Sequence, residues 1–187
     1  MRVKKCSLGY IKSEKRWQAL WLLFFIVLGF VIFFVGYFLN NHSKTNVFTI
    51  IAILMVLPAA KRVVSLSVLF PFHSVSKDEY EKVKQFVSPE AHVFTEYVFT
   101  STEKIMGLRF LIIDKGNVIG VTVNKKQYLD YINTYLAKGV HNLSPNCHVK
   151  IVEDEDAMLR FYAKSNEVSI TDNQEKAVLD YLRSLAV

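Results

Sequence analysis

The fold is decided by residues 19–39, which read ALWLLFFIVLGFVIFFVGYFL. This stretch carries no charge, and as a helix it would be about 31 Å long, close to the thickness of a bilayer's hydrocarbon core. It is apolar on every side, whereas a core helix of a small soluble domain usually keeps one polar face. It is also too long for the apolar region of a signal peptide, and no small-residue cleavage site follows it. We therefore predict a permanent spanning helix over about 17–39.

A second apolar segment follows a short polar connection at 40–46. Residues 47–60 are uncharged, Lys61 and Arg62 interrupt, and the apolar pattern resumes over 63–72. One interpretation is a second span over about 46–70, kinked at Pro58, in which Lys61 and Arg62 snorkel into the headgroups. The other is a re-entrant or interfacial segment, because 14 residues alone reach only about 21 Å. We favour the first, since the connection fits a hairpin between two spans.

The basic residues predict the orientation of this hairpin. Residues 1–16 hold six Lys and Arg, whereas the 40–46 connection holds only Lys44. Cytosolic flanks carry such an excess, so both chain termini are expected in the cytosol. We predict that five residues lie at the membrane interface: Lys15, Arg16, Trp17, Lys61 and Arg62.

The basic residues that give the net charge of +6 lie mainly in the segments that flank the predicted spans. Residues 63–187 hold 14 basic and 16 acidic side chains, so this part lacks the basic excess of a nucleic-acid-binding domain. The expected partners are the lipid bilayer and another protein, membrane-embedded or not, and no nucleic acid.

We divide the chain into residues 1–72, the basic segment with the hairpin, and residues 73–187, a cytosolic α/β (α+β) domain. Periodicity and turn signals predict a small mixed sheet and the element order α-β-β-β-α-β-α-α. Capping boxes at Ser76–Glu79 and Thr171–Gln174 mark two helix starts. Lys138-Gly139 is the expected end of the helix that joins the third and fourth strands. That helix favours a parallel crossover between the two strands.

The predicted order matches the core of PD-(D/E)xK nucleases, which hold a metal with paired acids and a nearby lysine. Asp114 is a candidate for the first acid. The third strand reads VTVNK over 121–125, and no acid precedes Lys125 or Lys126 by two residues. A degenerate nuclease-like protein therefore remains only the alternative function.

Other polar groups have simpler structural interpretations. The acidic run 153–156 begins a helix, where carboxylates satisfy free N–H groups and complement the dipole. Cys147 and His148 are neighbours on a predicted strand and face opposite sides, so they cannot share a metal. We predict a buried Cys147 and an exposed His148. The sequence indicates no catalytic residue, no metal site and no cofactor.

The N-terminal part resembles a family of small two-helix membrane proteins from low-GC Gram-positive bacteria. The resemblance covers 1–72 and is carried by LGYIKSEKRW at 8–17, GYF at 36–38 and VLPAAK at 56–61. Members are sometimes labelled O-linked GlcNAc transferase-like, but the sequence here contains neither a phosphate-binding loop nor a metal-holding acid pair. The resemblance implies a bacterial source and a plasma-membrane location, and it implies no activity or site residues.

The sequence thus favours a non-enzymatic role as a membrane-anchored interaction domain or accessory subunit. A weaker alternative is an oligomeric transport component, because Gly29 and Gly36 permit close helix packing. The segment 61–72 is interpreted either as a linker lying on lipid or as a helix that couples membrane and domain.

Overall fold

The computed structural model describes residues 3–123 and 128–187. Two compact units emerge: residues 11–71 form the first, and residues 3–10 together with 72–187 form the second. The helices are α1 (Tyr10–Leu39), α2 (Val47–Leu54), α3 (Val56–Leu69), α4 (Lys77–Phe86), α5 (Leu129–His141), α6 (Glu155–Lys164) and α7 (Asp172–Leu185). The strands are β1 (His92–Thr100), β2 (Ile105–Asp114), β3 (Asn117–Thr122) and β4 (His148–Val152).

The first unit consists of apolar helices whose side chains remain largely exposed. In the described chain, α1 and the nearly continuous helix Val47–Leu69 are long and apolar enough to cross a membrane. Only 6% of the most apolar stretch of each is buried within the protein. The predicted connection 40–46 is confirmed as the non-helical segment between them.

Met55 separates α2 from α3, and Pro58 explains the break. The Met55 amide bonds to the Ile51 carbonyl oxygen at 3.2 Å, and the Ala59 amide reaches the Met55 carbonyl oxygen at 3.4 Å. Pro58 has no amide hydrogen to donate to the carbonyl of Leu54, so the helical ladder loses a bond between these two positions. A one-residue interruption thus lies three positions before Pro58, and the predicted kink itself stays a prediction.

The two glycines of α1 pack within the chain. A Cβ atom on Gly36 would lie 2.2 Å from the Phe48 Cβ, and one on Gly29 would lie 3.6 Å from the Met55 Cβ. In the sequence, these glycines suggested close helix packing in an oligomeric transport component. In the structure, they allow α1 to pack closely on the second helix of the same chain. The glycines therefore no longer point to contacts between copies.

The second unit contains a four-stranded mixed sheet in the order β1-β2-β3-β4. The first three strands are antiparallel, and β4 lies parallel to β3 as expected from the intervening helix. Helices α5 and α7 contribute to the core on one face, and α4 and α6 contribute to the core on the other. The predicted mixed α/β content is confirmed, with helices on both faces of the sheet.

The two predicted capping boxes are confirmed, but one predicted helix end is wrong. Both capping boxes are present, at Ser76 with Glu79 and at Thr171 with Gln174. Helix α5, however, passes through Gly139 and ends at His141, so the expected C-cap is wrong. A Cβ atom on Gly139 would lie 2.0 Å from the hydroxyl oxygen of Tyr181. This glycine therefore permits the close approach of α7 rather than ending α5.

Candidate functional site: the buried carboxylate of Glu96

The most unusual side chain of the second unit is Glu96, in the middle of β1. This residue is only 1% exposed, which is unusual for a carboxylate, and most other side chains of the strand are apolar. Its backbone is in the left-handed region, with φ of +54°. For a residue other than glycine this conformation is strained, and such strain persists only where the surrounding structure enforces it. The contacts of the carboxylate explain how it is enforced.

The carboxylate accepts hydrogen bonds from two segments that lie far apart in sequence. Its Oε1 accepts from the Gly9 amide at 2.7 Å and from the Val75 amide at 3.1 Å. Its Oε2 accepts from the Ser74 hydroxyl at 3.2 Å. Three donors from two separate segments therefore converge on this one side chain. One side chain of the sheet thus binds the residues just before α1 and those soon after α3.

Further contacts hold both flanking segments in the second unit. Residues 3–10 lie beside β1, where the Thr95 amide bonds to the Cys6 carbonyl oxygen at 3.2 Å. The Tyr10 hydroxyl donates to the Val187 carbonyl oxygen at 2.7 Å. On the other segment, Phe72 packs directly on Gly107 of β2, where a Cβ atom would lie 2.3 Å from the Phe72 ring. The chain therefore enters and leaves its helical pair through packed, hydrogen-bonded segments.

Cys6 lies in this contact region as a packing residue. The thiol is buried, and this burial raises its pKa to about 11, against the opposing effect of nearby Lys5 and Arg183. A protonated buried thiol is a poor nucleophile. Cys147 is buried and His148 exposed, as predicted.

Two of the predicted interface residues connect the helices of the first unit. Arg62 donates to the Gln18 side-chain oxygen at 3.2 Å and lies 5.7 Å from the ring centre of Trp21. Gln18 in turn donates to Glu14 at 2.7 Å. These contacts connect the Arg62 side chain, on α3, to α1.

Lys15 bonds to the Phe70 carbonyl oxygen at 3.0 Å and therefore satisfies an acceptor at the C-terminal end of α3. The side chains of Arg16, Trp17 and Lys61 are exposed. Their depth in a membrane stays a prediction.

Asp114, the candidate nuclease acid, has a structural partner. It accepts a hydrogen bond of 2.5 Å from the Tyr162 hydroxyl, whose oxygen also accepts from the Ser88 amide at 3.0 Å. Burial, together with this bond, raises the pKa of Tyr162. Asp114 thus connects the end of β2 to α6. Lys125 and Lys126, the other motif positions, lie outside the described residues.

The acidic run 153–156 lies just before α6 and in its first turn. Asp156 pairs with Lys82 at 3.7 Å. Burial, and then the charge of Glu79, raises the pKa of Glu155. Across residues 3–123 and 128–187, no group of three or more His, Cys, Asp or Glu could hold a metal ion. The predicted position at a helix start is confirmed, with Glu155 and Asp156 in the first turn of α6, but Asp154 at the N-cap makes no side-chain capping bond, so that part of the expectation is wrong.

Comparison with protein-family models, with curated proteins and with solved structures gives no match for this chain. We therefore infer function from Glu96 and its contacts. The sequence carried one signal for this residue, a single charge within the otherwise uncharged strand HVFTEYVFT at 92–100. The partners of that charge could not be read from the sequence, because they lie 21 to 87 positions away.

Proposed function

We propose that this chain is an integral membrane protein whose second unit is a cytosolic interaction module or accessory subunit. Its two apolar helices span the bacterial plasma membrane, and both chain termini face the cytosol. The partner is another protein of the membrane or its cytosolic surface. No reaction is assigned to the domain.

Membrane insertion is supported by the exposure of the apolar helices. Large side chains such as Phe30, Phe34 and Phe38 are at least half exposed. Each aromatic side chain left in water forgoes a burial free energy of about 1.5–3 kcal/mol, and a bilayer supplies that burial. The basic excess before α1 supports a cytosolic N-terminus, and an even number of spans returns the second unit to the same side.

The observation that carries the functional proposal is the bonding of Glu96. A domain that merely follows an anchor needs only a flexible linker, whose polar groups remain in water. Here Gly9 and Val75, on the two flanks of the helical pair, donate to one buried carboxylate. Such an arrangement restrains both flanks of the helical pair on the sheet. Two ordered flanking segments on the sheet fit a domain that offers a fixed surface of its own to a partner.

The proposal is tested by photo-crosslinking in the native cell. A photoreactive amino acid is placed singly at exposed positions of the full-length protein, for example Lys138 on α5, Arg160 on α6 and Lys176 on α7. We expect one face to give a discrete adduct with another protein, because a presented surface has a fixed neighbour. The matched variant Glu96→Ala should lose most of that adduct while remaining in the membrane fraction.

Two outcomes would contradict the proposal. Diffuse or absent adducts at every position would mean that the domain has no fixed partner. An adduct that is equally strong in Glu96→Ala would mean that Glu96 and its hydrogen bonds are not needed for the contact with the partner.

A further inference from the structure

We propose that Tyr128 and Tyr131 form a binding site for an organic ammonium group, which Lys104 of the same chain occupies in this structure. The site lies in the second unit, between the β1–β2 turn and the start of α5. It is separate from Glu96 and its contacts, and its existence does not depend on the proposed function.

The geometry is that of a cation held between two aromatic faces. The Lys104 ammonium nitrogen lies 4.2 Å from the ring centre of Tyr128 and 4.7 Å from that of Tyr131. Both distances are well within the 6 Å or so over which a ring face attracts a cation. Among the described residues, Lys84 also lies on a tyrosine, but it contacts the single ring of Tyr80 at 5.9 Å. Within that part of the chain, Lys104 is the lysine on which two tyrosine rings converge.

The position of the Tyr131 ring is fixed by the surrounding structure. Its hydroxyl bonds to the Ser101 hydroxyl at 3.0 Å. Its ring stacks on Tyr135, with ring centres 6.3 Å apart and planes 14° from parallel, and Tyr135 stacks on the buried Phe99. A ring that is already ordered loses little conformational entropy when a ligand binds to it.

Lys104 is suited to be a displaceable occupant. It is half-buried, and none of the ion pairs in the described chain includes it. Its backbone is held instead by Ser101, which accepts from the Lys104 amide at 3.0 Å and donates its own amide to the Lys104 carbonyl oxygen at 2.9 Å. The side chain can therefore leave the rings without breaking these turn bonds. The ligand class that replaces it is an alkylated or quaternary ammonium, because such a cation is more weakly hydrated than a lysine ammonium and gains more from an aromatic face.

The test is a titration of the full-length protein with tetramethylammonium in phosphatidylglycerol nanodiscs, followed by the ring-current shift of the probe's methyl protons. Removing the resident competitor by Lys104→Ala should lower the dissociation constant at least about fivefold, which corresponds to about 1 kcal/mol. Adding Tyr128→Leu or Tyr131→Leu to that variant should abolish the gain. The control Tyr80→Leu should leave it unchanged, and circular dichroism checks the fold of each variant.

Two further experiments distinguish a lipid headgroup from a free metabolite as the natural ligand. If a lipid headgroup is the natural ligand, nanodiscs that include phosphatidylcholine should weaken the apparent binding of the probe to Lys104→Ala. If the ligand is a free metabolite, free choline should compete and phosphatidylcholine should not. The proposal is overturned if Lys104→Ala binds tetramethylammonium no more tightly than Lys104→Ala/Tyr128→Leu.

Discussion

Replacing Glu96 with alanine is expected to destabilise the second unit by about 3–5 kcal/mol, the largest effect of any single substitution considered for that unit. Three donors, on Gly9, Ser74 and Val75, lose their acceptor at once. A donor left unsatisfied in a buried position costs about 1–3 kcal/mol, and the Val75 bond is buried while the other two are part-buried.

This effect can be measured by hydrogen exchange at individual amides of the full-length protein in nanodiscs. The amides of Gly9 and Val75 should lose protection in Glu96→Ala, while amides in the centre of β3 keep more of theirs. The matched variant Glu96→Gln retains a carbonyl oxygen for the two amides and should cost only about 1–2 kcal/mol. Unchanged protection of Gly9 and Val75 in Glu96→Ala would show that the carboxylate does not hold the flanking segments.

Replacing Arg62 with leucine is expected to shift α3 along its axis and to weaken its association with α1. The substitution removes the donor to Gln18 and the cation above Trp21. Burying the guanidinium at the centre of a bilayer would cost about 2.5–3.5 kcal/mol on insertion scales, so under the proposed topology we expect the native residue also to limit the depth of the helix. A nitroxide attached at position 65 should move from the interface into the hydrocarbon region, as read from its accessibility to oxygen and to a water-soluble paramagnet.

Lys61 provides the matched control for Arg62. It adjoins Arg62 in sequence, but its side chain is exposed. Lys61→Leu should therefore change the depth of the label much less than Arg62→Leu, and the double variant should give the largest shift. Gln18→Leu should reproduce part of the Arg62→Leu effect, because it removes the partner from the other helix. Equal water exposure of the label in all variants would show that Arg62 does not set the depth of α3.

The features predicted correctly from the sequence are those with local causes. The capping boxes at Ser76 and Thr171 depend on residues three positions apart. The strands were recognisable because β-branched and aromatic residues cluster between turn signals. The apolar run 19–39 is long enough to identify its helix without any tertiary information.

The features that the sequence did not reveal depend on contacts over long separations. Glu96 meets Gly9 across 87 positions, and Arg62 meets Gln18 across 44. Gly139 fits a C-cap as well as a helix interior, and only the approach of Tyr181 decides between them. Residues 3–10 read as a flank of the first helix because they are basic, although they belong to the second unit.

The central claim, two spans with the second unit in the cytosol, is tested most directly by cysteine labelling in intact cells. Ser43 and Ser184 are exposed and are replaced singly by cysteine, in a background whose buried Cys6 and Cys147 are changed to alanine. A membrane-impermeant thiol reagent should label position 43 at once and position 184 only after the cells are permeabilised. Labelling of position 184 but not 43 in intact cells would contradict the account by reversing the orientation, and equal labelling of both would show that the second helix does not cross.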